Sequence, residues 1–116
     1  MSAISEAKTL LTSIGSLYES SMPDTPDDCV CIYATGGYPR SLSGTQLEEP
    51  TFMIKVRKNQ NYAAGVTLCE TIKDLLHGKS TTKLLLIEQQ SDVLDIGRDE
   101  KNRHQWTINF RCYYRK

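Results

Sequence analysis

The chain has 116 residues, the size of one ordinary domain, with room for one hydrophobic core and too little for two independent ones. Fourteen Lys and Arg balance fourteen Asp and Glu, which excludes the global field that draws a protein onto nucleic acid or an anionic membrane. The longest aliphatic run, Leu84 to Ile87, is far short of the roughly 20 residues that span a bilayer as a helix.

From the N-terminus, "MSAISEAKTLLTSIGSLYES" carries Glu6 and Lys8 early and has no continuous apolar stretch, so it is not read as a secretory signal and cytosolic synthesis is expected. Ile4, Ala7, Leu11, Ile14 and Tyr18 recur at helical spacing with Leu10 and Leu17 beside them, which predicts an amphipathic helix over residues 3–20. "SSMPDTPDD" then reads as a loop, because its two prolines disfavour helix in the residues before them. "CVCIYAT" (29–35) is β-branched and apolar enough for a strand, and "GGYPRSLSGTQLEEP" after it reads as a long polar connection. In "TFMIKVRK" (51–58), Phe52, Ile54 and Val56 alternate with polar or amphipathic neighbours, the mark of a half-buried strand.

Tyr62, Val66, Cys69, Ile72 and Leu76 repeat at three and four, with Leu68 and Leu75 widening the stripe, which predicts a second helix over 60–77 with Gly78 as its C-terminal cap. "TKLLLIEQQ" (82–90) is a third strand, and residues 92–97 lead into a polar loop. The chain closes on strict alternation from Gln105 to Arg115, a fourth strand running to the end of the sequence. The order α-β-β-α-β-β implies an α+β fold over 1–116, two helices packed on a largely antiparallel or mixed sheet.

Few residues suggest chemistry. Cys29 and Cys31 share a strand face and, with Cys69 and Cys112, offer either a zinc site or four inert buried thiols; the pairs lack the knuckle spacing structural zinc uses, and no disulfide framework is evident. His77 and His104 have no nucleophile or carboxylate at motif spacing, and "TGGYPRSLSG" lacks the patterns that cradle phosphate. The carboxylates of Asp27-Asp28 and Glu48-Glu49 fall in turn-rich segments, where solvation is the default. "RCYYRK" interleaves basic and aromatic residues without the stacking signature of a sheet-type RNA reader. No catalytic residue, cofactor or metal is assigned, and the expected product of the fold is a binding surface.

The ordered set "IYATGGYPRSLSG", "EEPTFMIKVR", "YAAGVTLCETIKDLLHG" and "IGRDEKNRHQWTINFRCYY", spanning about residues 30–114, resembles the small minor capsid proteins of long-tailed bacteriophages of Gram-positive bacteria. The resemblance implies a tail terminator, or tail completion protein. Such proteins form a ring, typically of six copies, that caps the head-proximal end of the tail tube, stops tube polymerisation and presents a surface to the head connector. It also implies a small sandwich of helices on a mixed sheet, assembly in the host cytoplasm, the tube protein and the connector as partners, and DNA passing through the lumen without sequence-specific binding. A head-completion or neck protein, and a small ligand-binding domain, are the other classes that fit.

Charge is unevenly distributed. Residues 1–50 carry two basic and seven acidic groups, net −5, and residues 51–116 carry twelve and seven, net +5. Either these unlike halves join copies head to tail or the charges scatter over one surface. A terminal strand left at a sheet edge needs a cover, so the last strand is expected either at a subunit seam or inside its own sheet. Arg111, Tyr113, Arg115, Lys55 and Arg57 are the candidate subunit contacts. Gly36, Gly37, Tyr38, Arg40, Arg98, Asp99 and Arg103 are the candidate lumen or docking loops.

Overall fold

The computed structural model describes residues 3–14, 17–24, 26–38, 47–59, 61–81 and 84–115. Along them run α1 (Ala3–Leu10), a 3-10 turn (Thr12–Ile14), β1 (Leu17–Glu19), β2 (Cys29–Tyr38), β3 (Leu47–Asn59), α2 (Tyr62–Leu76), β4 (Leu84–Gln89), β5 (Leu94–Arg98) and β6 (Arg103–Arg115). The class is the expected α+β, but the order is not α-β-β-α-β-β: β1 and β5 are additional strands. The helix expected over 3–20 ends at Leu10, and Leu17–Glu19 pairs with β2 instead. Ser13, Gly15 and Ser16 are weak helix formers, so the helical repeat is not sustained to Leu17, whose backbone is met instead by β2.

The six strands form one sheet in the order β1-β2-β3-β6-β4, with β5 also on β6. β1 and β2 are parallel and every other pair is antiparallel. β3 and β6 are 13 residues each and account for the long axis of a body measuring 49 × 23 × 23 Å. β4 and β5 lie end to end along the outer side of β6, β4 opposite its C-terminal half and β5 opposite its N-terminal half. The terminal strand is therefore internal, paired with β3 on one side and with β4 and β5 on the other. Its expected alternative as an open edge does not hold.

Period-two alternation divides the sheet into two faces. Val30 and Ile32 of β2, Phe52, Ile54 and Val56 of β3, and Trp106, Ile108 and Phe110 of β6 turn one way, where Ile4, Ala7 and Leu11 near α1 and Cys69, Ile72 and Leu76 of α2 cover them in one core. Matched rows such as Val30–Val56–Trp106 and Ile32–Ile54–Ile108 set the register, and a one-residue slip would turn the whole set to solvent. Phe52 and Phe110 stack at 5.4 Å.

α2 starts at Asn61, whose side chain accepts from the Ala64 amide at 3.0 Å. It ends at Leu76 with His77 as the C-cap, and Gly78, expected as the cap, follows one residue later at φ +76°, a left-handed position that a glycine adopts without Cβ strain. The buried stripe runs Gly65, Cys69, Ile72, Leu76, while Tyr62 and Val66, expected in it, are 48% and 37% exposed. The indole of Trp106 explains the shift. It lies so close over Gly65 that a Cβ there would be 2.1 Å from its ring.

Candidate functional site

The second face of the sheet, away from the helices, is polar, and a segment of the chain straps it. Cys31, Lys55 and Thr107 form one row across β2, β3 and β6, and Cys29, Arg57 and Gln105 form the next. Over them passes the 20–28 segment, read from sequence as a plain loop. Arg57, 4% exposed, donates through Nε to the Asp27 carbonyl at 2.9 Å and through Nη2 to the carbonyls of Pro23 at 2.6 Å, Pro26 at 2.8 Å and Asp24 at 3.2 Å. A proline-punctuated turn cannot bond its own carbonyls in a ladder, and a guanidinium with its fork of donors answers several at once.

Arg103, 5% exposed, fastens the same strap. It reaches Asp99 at 2.7 Å, the Asp24 carbonyl at 2.6 Å, the Asp24 carboxylate at 3.1 Å and the Asp27 carboxylate at 3.2 Å. Lys101 also pairs with Asp24. Asp99 organises the β5–β6 turn by accepting from the Lys101 and Arg103 amides at 3.0 and 2.9 Å, with Asn102 at φ +66° closing it. The Arg103 guanidinium, with those amides, holds the Asp99 carboxyl down at about 2. A hydrogen bond from Lys101 is the main reason Asp24 is lowered, and Asp99 in turn raises Arg103. Between strap and sheet lies a groove of about 410 Å³ bordered by Met22, Tyr33, Lys55, Glu100, Lys101 and Gln105 as well as the clamped arginines.

The structure brings together Lys55, Arg57, Asp99 and Arg103, which the sequence had divided between a subunit seam and a docking loop, and it commits both arginines to the strap. Arg111 pairs with Glu49 and lies 5.2 Å from the centre of the Tyr113 ring, about 60 residues of sequence from its partner. Gly36 and Gly37, expected in a flexible loop, belong to β2 at a register shift between Ala34 and Gly37. Gly37, at φ +128°, lies where a Cβ would be 2.6 Å from the Glu49 carbonyl oxygen. Arg98 is exposed in β5 and reaches Asn102 at 3.1 Å. Arg40 and the side chains of Tyr38 and Arg115 lie outside the described residues.

Charge follows the same inward pattern. Asp24, Asp27, Asp28 and Glu49 of the acidic half pair with Lys101, Arg103, Lys58 and Arg111 of the basic half. Much of the polarity offered as a join between two copies is thus met inside one. The sequence reading missed Asp24 as a partner and took Asp27 and Asp28 as solvated. The one signal available was Arg57, a cation at a strand position that alternation places on a sheet face; Arg103 falls in the polar turn ahead of the alternation that begins at Gln105.

The remaining candidates for chemistry do not converge. Cys29 and Cys31 underlie the strap, whereas Cys69 and Cys112 sit in the helix-side core, where burial pushes both thiols up to about 12. His77 accepts from the Gln89 amide at 3.0 Å, and His104 packs against Tyr62 at 5.2 Å. Among the described residues no group of three His, Cys, Asp or Glu side chains is placed to hold a metal ion, and no helix is long and apolar enough to cross a membrane.

The fold has close relatives in shape. A chain from the virion of a native gene transfer agent particle superposes with a TM-score of 0.64 at 12% identity, over 99% of this chain and 87% of that one. A second solved structure gives 0.59 at 9% identity, over 100% and 98%. No curated protein sequence matches the chain. The model of one family, described as bacteriophage tail terminator protein, matches residues 6–116. With nearly the whole sequence inside that match and the same fold found in a virion particle, the chain belongs to the bacteriophage tail terminator proteins.

Proposed function

We propose that this phage tail protein acts as a ring, of six copies by the family resemblance, at the head-proximal end of the tail tube, where it ends tube polymerisation and offers a surface to the head connector. The observation that carries the reading is the family match over residues 6–116. The fold is consistent with it: a rigid slab whose interior is fully used by its own core, with function left to edges, turns and faces. DNA threads the lumen in this reading. A strongly basic lining would hold DNA by counterion release, and the chain is neutral overall with the buried Arg103 already ion-paired. Direct neighbours are further copies of the chain, the tube protein and the connector. Residues that stay accessible for such contacts include Lys55, Tyr113 and Arg98.

The test is electron microscopy of a lysate in which this gene alone is interrupted. Full heads beside unattached tails of variable, abnormal length are expected. Tails of normal length that fail to join heads would move the protein to the neck, and intact infectious particles would remove the reading.

A further inference from the structure

Sheet edges are normally covered, and this sheet covers one part of its outer edge while leaving the adjacent part bare. Along β4 the connection after α2 supplies partners. The Gly78 amide donates to the Ile87 carbonyl at 2.7 Å, the Ile87 amide to Lys79 at 3.0 Å and the Thr81 amide to Leu84 at 2.7 Å. β5, which continues the same edge, pairs with β6 alone among the described residues. All five of its residues are exposed, including Leu94 at 59% and Ile96 at 44%. A bare edge bearing two large aliphatic side chains is a binding feature or an aggregation hazard.

Among the described residues the opposite edge of the same sheet is open too: β1 pairs with β2 alone, and beside it an open groove of about 440 Å³ runs along α1, bordered by Leu11, Leu17 and Lys8. We propose that β5 of one copy lies along β1 of the next, so that the ring is built by continuing the sheet from copy to copy; this rests on the ring reading above.

Three observations select a second copy as the occupant. First, strand directions fit. β1 runs with β2, β3 runs against it, β6 against β3 and β5 against β6, so β5 meets the next β1 antiparallel, the more stable pairing. Second, the faces fit. The row Tyr18–Cys31–Lys55–Thr107–Leu94 crosses the whole sheet, placing Leu94 and the next copy's Tyr18 on the same face, an aromatic–aliphatic cross-strand pair. On the other face Lys8, whose ion pair with Glu19 is a long 3.9 Å, comes to the side where Asp95 lies. Third, one contact covers both open edges. A head-to-tail join uses β5 on one side and β1 on the other and closes only as a ring, whereas a foreign strand on β5 would leave β1 bare.

The experiment uses the full chain in purified tails and in solution. In a Cys31→Ser background, which removes the thiol opposite position 18, Tyr18→Cys with Leu94→Cys should give, on mild oxidation, a ladder of covalent oligomers up to the ring, while either substitution alone gives none. Leu94→Lys with Ile96→Lys, both at exposed positions, should leave the circular dichroism and melting temperature of the chain unchanged and reduce its assembled mass to the 13.1 kDa of one copy. Rings that still form from the folded lysine variant, or that never cross-link, overturn edge pairing and leave the ring reading standing. A parent chain found as single copies in assembled tails removes both.

Discussion

Gly65→Ala should destabilise this protein although it replaces a glycine within a helix, at the end of the first turn of α2. In an open helix the change would add about 1 kcal/mol of stability. Here the new Cβ would stand 2.1 Å from Cη2 and 2.3 Å from Cζ3 of Trp106, well inside the 3.4 Å at which ordinary contact begins. The indole cannot give way easily. It is 1% exposed, is in the common core with Val56 and Ile108, and is bounded by Tyr62 at 5.4 Å. Overpacking of a close-packed core costs about 1–3 kcal/mol, and a rigid ring meeting a helix backbone belongs at or above the upper end. The net loss is then about 2 kcal/mol, which in a domain of this size lowers the melting temperature by roughly 8 °C. Urea denaturation followed by fluorescence is the assay. Trp106 is the sole tryptophan, so its emission reports the same contact that is perturbed. The midpoint should fall with the slope unchanged. Trp106→Phe, which trims the ring, should recover part of the loss in the double variant, a coupling of the kind a double-mutant cycle isolates; because that substitution removes the fluorophore, the cycle is followed by circular dichroism in all four chains. Gly78→Ala, at φ +76° in open space, is the contrast: it should cost about 1–2 kcal/mol through backbone strain with native Trp106 emission unchanged. A Gly65→Ala chain as stable as the parent would refute the packing account.

Arg57→Met should lift the strap, because four carbonyls lose their donor at once; a loss of about 2–4 kcal/mol is expected, with new proteolytic cleavage within 20–28 and faster reaction of Cys29 and Cys31 with a thiol reagent, and unchanged protection of both would refute the clamp. The strap should also be acid-labile. Asp99 has its folded carboxyl at about 2 against an ordinary 3.8, so its contribution is fully present above the ordinary value and is lost as pH falls from about 4 to about 2. Asp99→Asn should flatten that limb of an acid titration of stability, and an identical limb would place the acid sensitivity elsewhere. Cys69 and Cys112, pushed up to about 12 by burial, should resist alkylation at pH 8 in the native chain and react once it is denatured; rapid native labelling of either would show that the core opens there.

What could be read from the residues follows from how local the cause is. β3, β6 and α2 were legible because their periodicity is strict and their burial one-sided, and Gly78 because only a helix end needs that backbone. β1 was not, since Leu17 and Tyr18 fall in phase with the helical repeat of Ile4, Ala7 and Leu11 and become strand only because β2 offers an edge. β5 was hidden for a related reason: exposed on both faces, it has no alternation to read, and it exists because β6, at 13 residues, extends past β4. Arg57 looked like a surface charge because alternation predicts a face and cannot predict that a distant turn will cover it, and Arg103 looked like a loop charge because it precedes the alternation that begins at Gln105.

The inward pairing of the two charged halves changes what should drive assembly. Had the −5 and +5 halves joined separate copies, the contact would be electrostatic and would weaken steeply with salt. Their pairing within one chain, through Asp24, Asp27, Asp28 and Glu49, leaves association to backbone hydrogen bonds and to Leu94, Ile96 and Tyr18, with Lys8 and Asp95 as minor contributors. Raising salt from 0.1 to 1 M shortens the screening length from about 10 Å to about 3 Å and strengthens, if anything, the apolar component. Oligomer mass measured by light scattering across that range should therefore hold steady or rise. A ring that falls apart at 1 M salt would show that charge joins the copies and that the sheet edges do not.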